Sequence, residues 1–193
     1  MKKVLSKKLK KSLVVVASGG FDPIHIGHVR MFNEAKKLGN KLVVIINNDN
    51  WLKKKKGFVF MPEKQRKEII EGFRAVDEVK LSSHKKNPLD MSVTNDLKKI
   101  KPDIFVQGGD RNPSKLPVPG SELAYCEETG CKVVYNVGRG GKVQSSTWLS
   151  TNFINDVLER NFCPCGSKKS FVKCGLKRTR EHQKNLQKML NKI

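Results

Sequence analysis

Residues 17–39 read ASGGFDPIHIGHVRMFNEAKKLG, and their arrangement decides the fold. An apolar run, SLVVVAS at 12–18, leads into Gly19 and Gly20. A continuous apolar run of this length suits a strand buried on both faces. The loop behind the glycines carries His25 and, just after Gly27, His28. HVRMFNEAKKLGN then sets Val29, Phe32 and Ala35 at helical spacing, with Gly39 as a natural helix stop. The order is strand, loop, helix, with two imidazoles where the helix begins. Such a pair could fill a core, bind zinc or hold an anion. Core filling fits poorly, because Asp22, Pro23 and Gly27 are loop residues. Zinc needs more ligands, and Asp22 is the one nearby candidate. An anion cradle fits best. A helix N-terminus presents unpaired N–H groups and a positive dipole end. Two imidazoles can donate to the same polyphosphate, and Gly27 lacks the side chain that would block its approach.

The rest of the chain repeats the alternation. KLVVIINND at 41–49 reads as a second buried strand and NWLKKKKGFVF at 50–60 as a basic loop. MPEKQRKEIIEGF at 61–73 is a helix with Pro62 near its first turn and Ile69, Ile70 and Phe73 as its apolar side. VDEVKLS at 76–82, DIFVQGGD at 103–110 and KVVYNV at 132–137 supply three further strands. Helices are expected within 88–102, closed by Pro102, within 121–131, stopped by Gly130, and over 145–160 with Ser145 as N-cap. Five strands alternating with helices predict an α/β fold: a doubly wound, five-stranded parallel sheet of Rossmann-like form. In such sheets ligands bind beyond the carboxyl ends of the strands, at the switch point of the strand order. The informative residues do follow strands: 19–28, 47–57, 107–110 and 139–147.

The chain has 193 residues, enough for one well-buried domain and a small appendage. We divide it into a basic arm at 1–11, a main domain at 12–160 and a cysteine-bearing basic tail at 161–193. The formal charge of +21 implies an anionic partner such as nucleotide, nucleic acid or ribosome. Five cysteines, an odd number, argue against a secreted disulfide framework. No apolar run approaches the roughly 20 residues of a membrane span. The run after the basic arm reads as a buried strand in preference to a leader segment. A cytoplasmic protein is expected, with no membrane partner.

Four segments together resemble the cytidylyltransferase-like nucleotidyltransferases. GGFDPIHIGH is similar to the H-x-G-H signature of that family. MPEKQRKEIIEGFRAVDEV resembles its arginine-bearing helix, KPDIFVQGGD its fourth-strand segment, and GGKVQSSTWLS its second signature. All four occur in the family's order, over about residues 13–160. The pattern is closest to the ADP-heptose-synthesising adenylyltransferase module, followed by the glycerol-phosphate and ethanolamine-phosphate cytidylyltransferases. The resemblance implies transfer of a nucleoside monophosphate from an NTP, ATP ahead of CTP, to a phosphorylated small molecule such as a sugar or polyol phosphate. Pyrophosphate is released, and Mg²⁺ accompanies the triphosphate. It implies catalytic roles for His25, His28, Lys56 and Arg66, the last as a bidentate phosphate ligand. Gly20, Phe21, Asp110, Ser145, Ser146 and Thr147 would meet the nucleotide, and Asp49 the acceptor. The second signature usually ends in a basic residue, which SSTWLST lacks. Arg139 or Lys142, just upstream, would replace it. A homodimer is common among such enzymes.

CPCGSKKSFVKCG in the tail resembles the SEC-C zinc motif. Cys163, Cys165 and Cys174 match it, whereas its fourth position is Gly175, with His182 as the substitute ligand for Zn²⁺. Cys126 and Cys131 flank a helix end and are expected to pack there. The basic ends also suit RNA or ribosome contact. The alternative function is therefore a catalytically inactive nucleotide- or RNA/ribosome-binding module. Against specific RNA readout, the lysine runs lack interleaved aromatics.

Overall fold

A computed structural model describes residues 12–108, 119–138 and 144–160. The basic arm, the tail with Cys163, Cys165, Cys174 and His182, and the expected site residues Asp110, Arg139 and Lys142 lie outside the described residues. The described elements run β1 (Val14–Gly19), α1 (Ile26–Lys36), β2 (Lys41–Ile46), α2 (Asp49–Lys56), α3 (Glu63–Glu71), β3 (Glu78–Leu81), α4 (Thr94–Ile100), β4 (Ile104–Gly108), α5 (Gly120–Thr129), β5 (Lys132–Val137) and α6 (Ser146–Arg160). The strands form one sheet in the order β3-β2-β1-β4-β5. Every pairing is parallel. This is the expected Rossmann-like α/β sheet. β1 lies at its centre, between β2 and β4, so the chain reverses direction across the sheet between β1 and β4.

The period-2 pleat divides the core. Val15, Ala17, Leu42, Val44, Ile46 and Val106 face one way and pack with Met31, Phe32 and Ala35 of α1 and Ile70 of α3. Val16, Val43, Ile45 and Phe105 face the other way and pack with Val93, Leu97, Tyr125 and Cys126 around α4 and α5. Cys131 joins that second cluster. Burial pushes both thiols up, Cys131 to about 12, as befits packing residues.

Two local expectations change. Residues 49–56 are a helix, not a loop. Asn48 Oδ1 accepts the Trp51 N–H at 3.0 Å, capping the start. Gly57, at φ 83°, ends it in the left-handed conformation that glycine adopts without strain. The four lysines of the last turn sit at the negative end of the helix dipole. Gly39 does not stop α1, which closes at Lys37 in ordinary helical geometry. Its role is close approach: a Cβ there would lie 2.6 Å from Val15 Cγ2 and 2.7 Å from the Leu13 carbonyl.

Candidate functional site

The loop between β1 and α1 is held from below. Gly19 lies under the Phe21 ring, and a Cβ on it would come within 2.9 Å of that ring. Phe21 has φ 51°, so the backbone turns sharply there, and its ring is buried edge-on to His28 at 4.9 Å. Asp22 is fully buried. Its carboxylate accepts the N–H groups of Phe60 at 3.0 Å and Met61 at 2.6 Å, which ties the loop after α2 to the loop after β1. Asp22 is thereby an anchor of the site, a role that sequence reasoning missed. The FDP turn after a strand was its only signal.

His25 is the N-cap of α1, and its Nδ1 accepts the Gly27 N–H at 3.2 Å. His28 Nδ1 in turn accepts the His25 N–H at 3.2 Å. This is a capping box built from two imidazoles in place of a hydroxyl and a carboxylate. The rings stack, with centroids 3.6 Å apart and planes 23° from parallel. Since both Nδ1 atoms accept, each ring when neutral carries its hydrogen on Nε2. Burial, then the charges of His25 and Lys56, lower the His28 pKa to about 3. His28 is thus a neutral donor at physiological pH.

Three of the four lysines of α2 are exposed, and Lys56 turns inward. Its Nζ donates to the Asp22 carbonyl at 2.7 Å. Burial lowers its pKa, Asp22 opposes that shift, and Arg66 adds to it. The structure therefore brings Lys56 to the histidine loop, as expected.

Arg66 differs from expectation. Arg66 is fully buried. Its Nε donates to the Met61 carbonyl at 2.8 Å, and Nη1 donates to the carbonyls of Gly20 at 2.6 Å and Asn47 at 2.8 Å. Nη2 donates to Asp49 Oδ1 at 2.7 Å. The guanidinium is committed to protein acceptors, so Arg66 is a positioning residue and not the bidentate phosphate ligand predicted. Gly20 contributes its carbonyl to this same hub. Asp49 Oδ1 also accepts the Glu63 N–H at 2.9 Å, while Glu63 Oε2 accepts the Asp49 N–H at 2.7 Å. Asp49 thus joins α2 to α3.

The start of α6 closes the other side. Ser145 Oγ accepts the Trp148 N–H at 3.0 Å, making it the expected N-cap. Ser146 Oγ donates to the Pro23 carbonyl at 2.8 Å, which sets this helix start beside the histidine loop. Thr147 is exposed next to it. His25, His28, Lys56, Ser145, Ser146 and Thr147 are thus gathered at the carboxyl end of β1. Two helix N-termini and one ammonium converge there, an arrangement that favours an anion. Among the described residues no group of three or more His, Cys, Asp or Glu side chains could hold a metal ion. No helix among them is long and apolar enough to cross a membrane.

The sequence profile of the cytidylyltransferase-like family matches residues 16–117, slightly more than half of the chain. The chain belongs to the cytidylyltransferase-like family. An FAD synthase of Ferroglobus placidus is 42% identical over 98 residues, covering 51% of this chain and 60% of its own. The bifunctional protein HldE of Helicobacter hepaticus is 37% identical over 122 residues, covering 62% of this chain and 24% of its own. The chain therefore spans less than two thirds of either relative. Among solved structures, the lipopolysaccharide core biosynthesis protein of Thermoplasma volcanium GSS1 superposes with a TM-score of 0.54 at 28% identity. That match covers 66% of this chain and 98% of the other.

Proposed function

We propose that this member of the cytidylyltransferase-like family is a nucleotidyltransferase. It moves a nucleoside monophosphate, AMP in preference to CMP, from an NTP to a phosphorylated acceptor. The observation that carries the reading is the pair of stacked imidazoles, each with Nδ1 pinned, at a helix N-terminus beside the inward-turned Lys56. The preference for ATP draws on the FAD synthase and HldE relatives. FAD is AMP joined to FMN, a polyol phosphate bearing a flavin, and ADP-heptose is AMP joined to a sugar phosphate. An acceptor of that class, a phosphate on a hydroxylated carbon chain, is the substrate we assign.

An acceptor phosphate oxygen attacks the α-phosphorus of the NTP. A new P–O–P bond forms, the bond from the α-phosphorus to the bridging oxygen breaks, and pyrophosphate departs with the electron pair. The nucleophile is already an anion, so no proton has to be removed. The chain's own contribution is positioning and charge stabilisation. His28, a neutral donor, meets the leaving phosphates without an ion to desolvate. Lys56 supplies positive charge across the gap between the two reacting phosphates. The α6 N-terminus supplies a second set of backbone donors. Mg²⁺ would arrive on the triphosphate, in keeping with its habit of binding phosphates and few protein ligands. Such substrates belong to the cytoplasm, where we place the protein.

Purified full-length chain with ATP, Mg²⁺ and either FMN or a heptose phosphate should release pyrophosphate, and CTP should serve less well. No turnover with any such acceptor, or turnover unchanged in His28→Asn, would defeat the assignment.

A further inference from the structure

Among the described residues, two buried side-chain polar atoms at strand ends have no hydrogen-bond partner: Asn47 Oδ1 and Gln107 Nε2. The two residues are only 6% and 5% exposed. Leaving such an atom unpaired forfeits its solvation with nothing in return, so a pair of them calls for a physical reason. Neither atom belongs to the histidine half of the site. Asn47 follows β2, and its N–H still extends the ladder to the Gly19 carbonyl at 2.8 Å. By pleat parity it shares the face of Val43 and Ile45, and Gln107 on β4 shares the face of Phe105, both on the α4/α5 side of the sheet. Both residues stand at carboxyl ends of strands that flank β1, and Gln107 is one residue beyond the Ala17–Val106 pair. The strand ends at the switch point therefore present two distinct sets of groups. The α1 side carries the imidazoles and Lys56. The α4/α5 side offers one unpaired acceptor and one unpaired donor.

An oxygen acceptor and an amide donor together match a neutral group that donates and accepts at once. A hydroxyl does both, whereas a phosphate offers only acceptors. We infer that Asn47 and Gln107 form a hydroxyl-recognition subsite on the α4/α5 side of the strand ends, reading the hydroxylated part of a ligand whose phosphates lie in the histidine half. This deepens the proposed function and rests on it for the location of the phosphates. The hydroxyls could come from the acceptor's carbon chain or from the ribose of the nucleotide.

Gln107→Met and Asn47→Leu remove the orphaned atoms while keeping the apolar bulk, and they leave the Asn47 backbone carbonyl free to accept Arg66. Thermal unfolding and equilibrium binding of the full chain separate the cases. Both variants should unfold at the wild-type temperature or above. Inorganic tripolyphosphate, which has no hydroxyl, should bind them as it binds wild type. FMN or a heptose phosphate should bind about tenfold more weakly if the acceptor is read; ATP but not 2′,3′-dideoxy-ATP should do so if the ribose is read. Undiminished affinity for every hydroxylated probe would overturn the inference, as would lower unfolding temperatures or an equal loss for tripolyphosphate. Tripolyphosphate failing to bind wild type would sink the proposed function, and this subsite with it. Tripolyphosphate binding without any hydroxyl effect would sink the subsite alone.

Discussion

At the residue scale, His28 does two jobs with two nitrogens. Nδ1 accepts the His25 N–H, which shapes the helix start. Nε2 is left with the hydrogen that a phosphate needs. Asparagine can imitate the first nitrogen and glutamine the second. We therefore expect His28→Asn to fold normally and to lose about 10²–10³ in kcat, the cost of one preorganised donor. His28→Gln should retain more activity but unfold at a lower temperature. Steady-state rates beside melting curves check both. Gly19→Ala tests the layer below. Its Cβ would press on the buried Phe21 ring, which stands edge-on to His28. Overpacking of this kind costs about 1–3 kcal/mol. The expected result is a lower melting temperature together with a raised KM for the nucleotide. The signature histidines and glycines were legible in the sequence because loop residues surround them. Asp22 was not, because its two partners, Phe60 and Met61, lie 38 and 39 residues away.

At the element scale, the five strands were legible because buried parallel strands read as apolar runs, whereas their order in the sheet was seen only in the structure. The helix α2 was not legible. It buries only Leu52 and so shows no apolar stripe; its evidence is the Asn48 cap and the Gly57 stop. Arg66 was misread for a related reason. On α3 it shares the buried side with Ile70, while Ile69, which looks like core, is 41% exposed. Periodicity would have turned Arg66 inward had Ile69 not been counted. Because four acceptors depend on its guanidinium, Arg66→Met should cost about 3–5 kcal/mol, the penalty for breaking a buried charge network from one side. Arg66→Lys should recover only part of this, since one ammonium cannot reproduce the planar fork. Chemical denaturation checks the order wild type, Lys, Met. A phosphate ligand would have given the opposite signature, raised KM at unchanged stability.

At the scale of the whole molecule, the site couples stability to pH. The unfolded chain protonates His28 near 6.5, and the folded chain only near 3. Between those values the unfolded state holds more protons, so stability is full above about pH 6.5 and falls as the pH drops. The slope approaches 1.36 kcal/mol per pH unit for one such group. Asp77, where burial is outweighed by bonds from Lys36 and the Leu42 N–H, and Asp90, bonded by Ser92, lie below 3.8; with Glu78, held below 4.5 by Lys41 and Lys80, they add to the loss only at lower pH. Melting temperatures measured from pH 5 to 7.5 should therefore fall toward the acid end in wild type and stay nearly level in His28→Asn. An equal slope in both proteins would show that His28 is not the titrating group. The sequence showed only the His25 part of this coupling; its largest cause is burial, and Lys56, which adds to it, lies 28 positions away in the chain.

The bond from Ser146 to the Pro23 carbonyl spans 123 positions. The loop that opens the site is synthesised early, and the helix start that closes it is synthesised late. During translation the histidine loop must wait through four more strands before its far wall exists. A nascent chain stopped after β5 would carry the sheet and both imidazoles yet lack one of the two helix N-termini. On the proposed function, competence to hold a polyphosphate is tied to near-completion of the described fold, so truncated products would compete poorly for nucleotide.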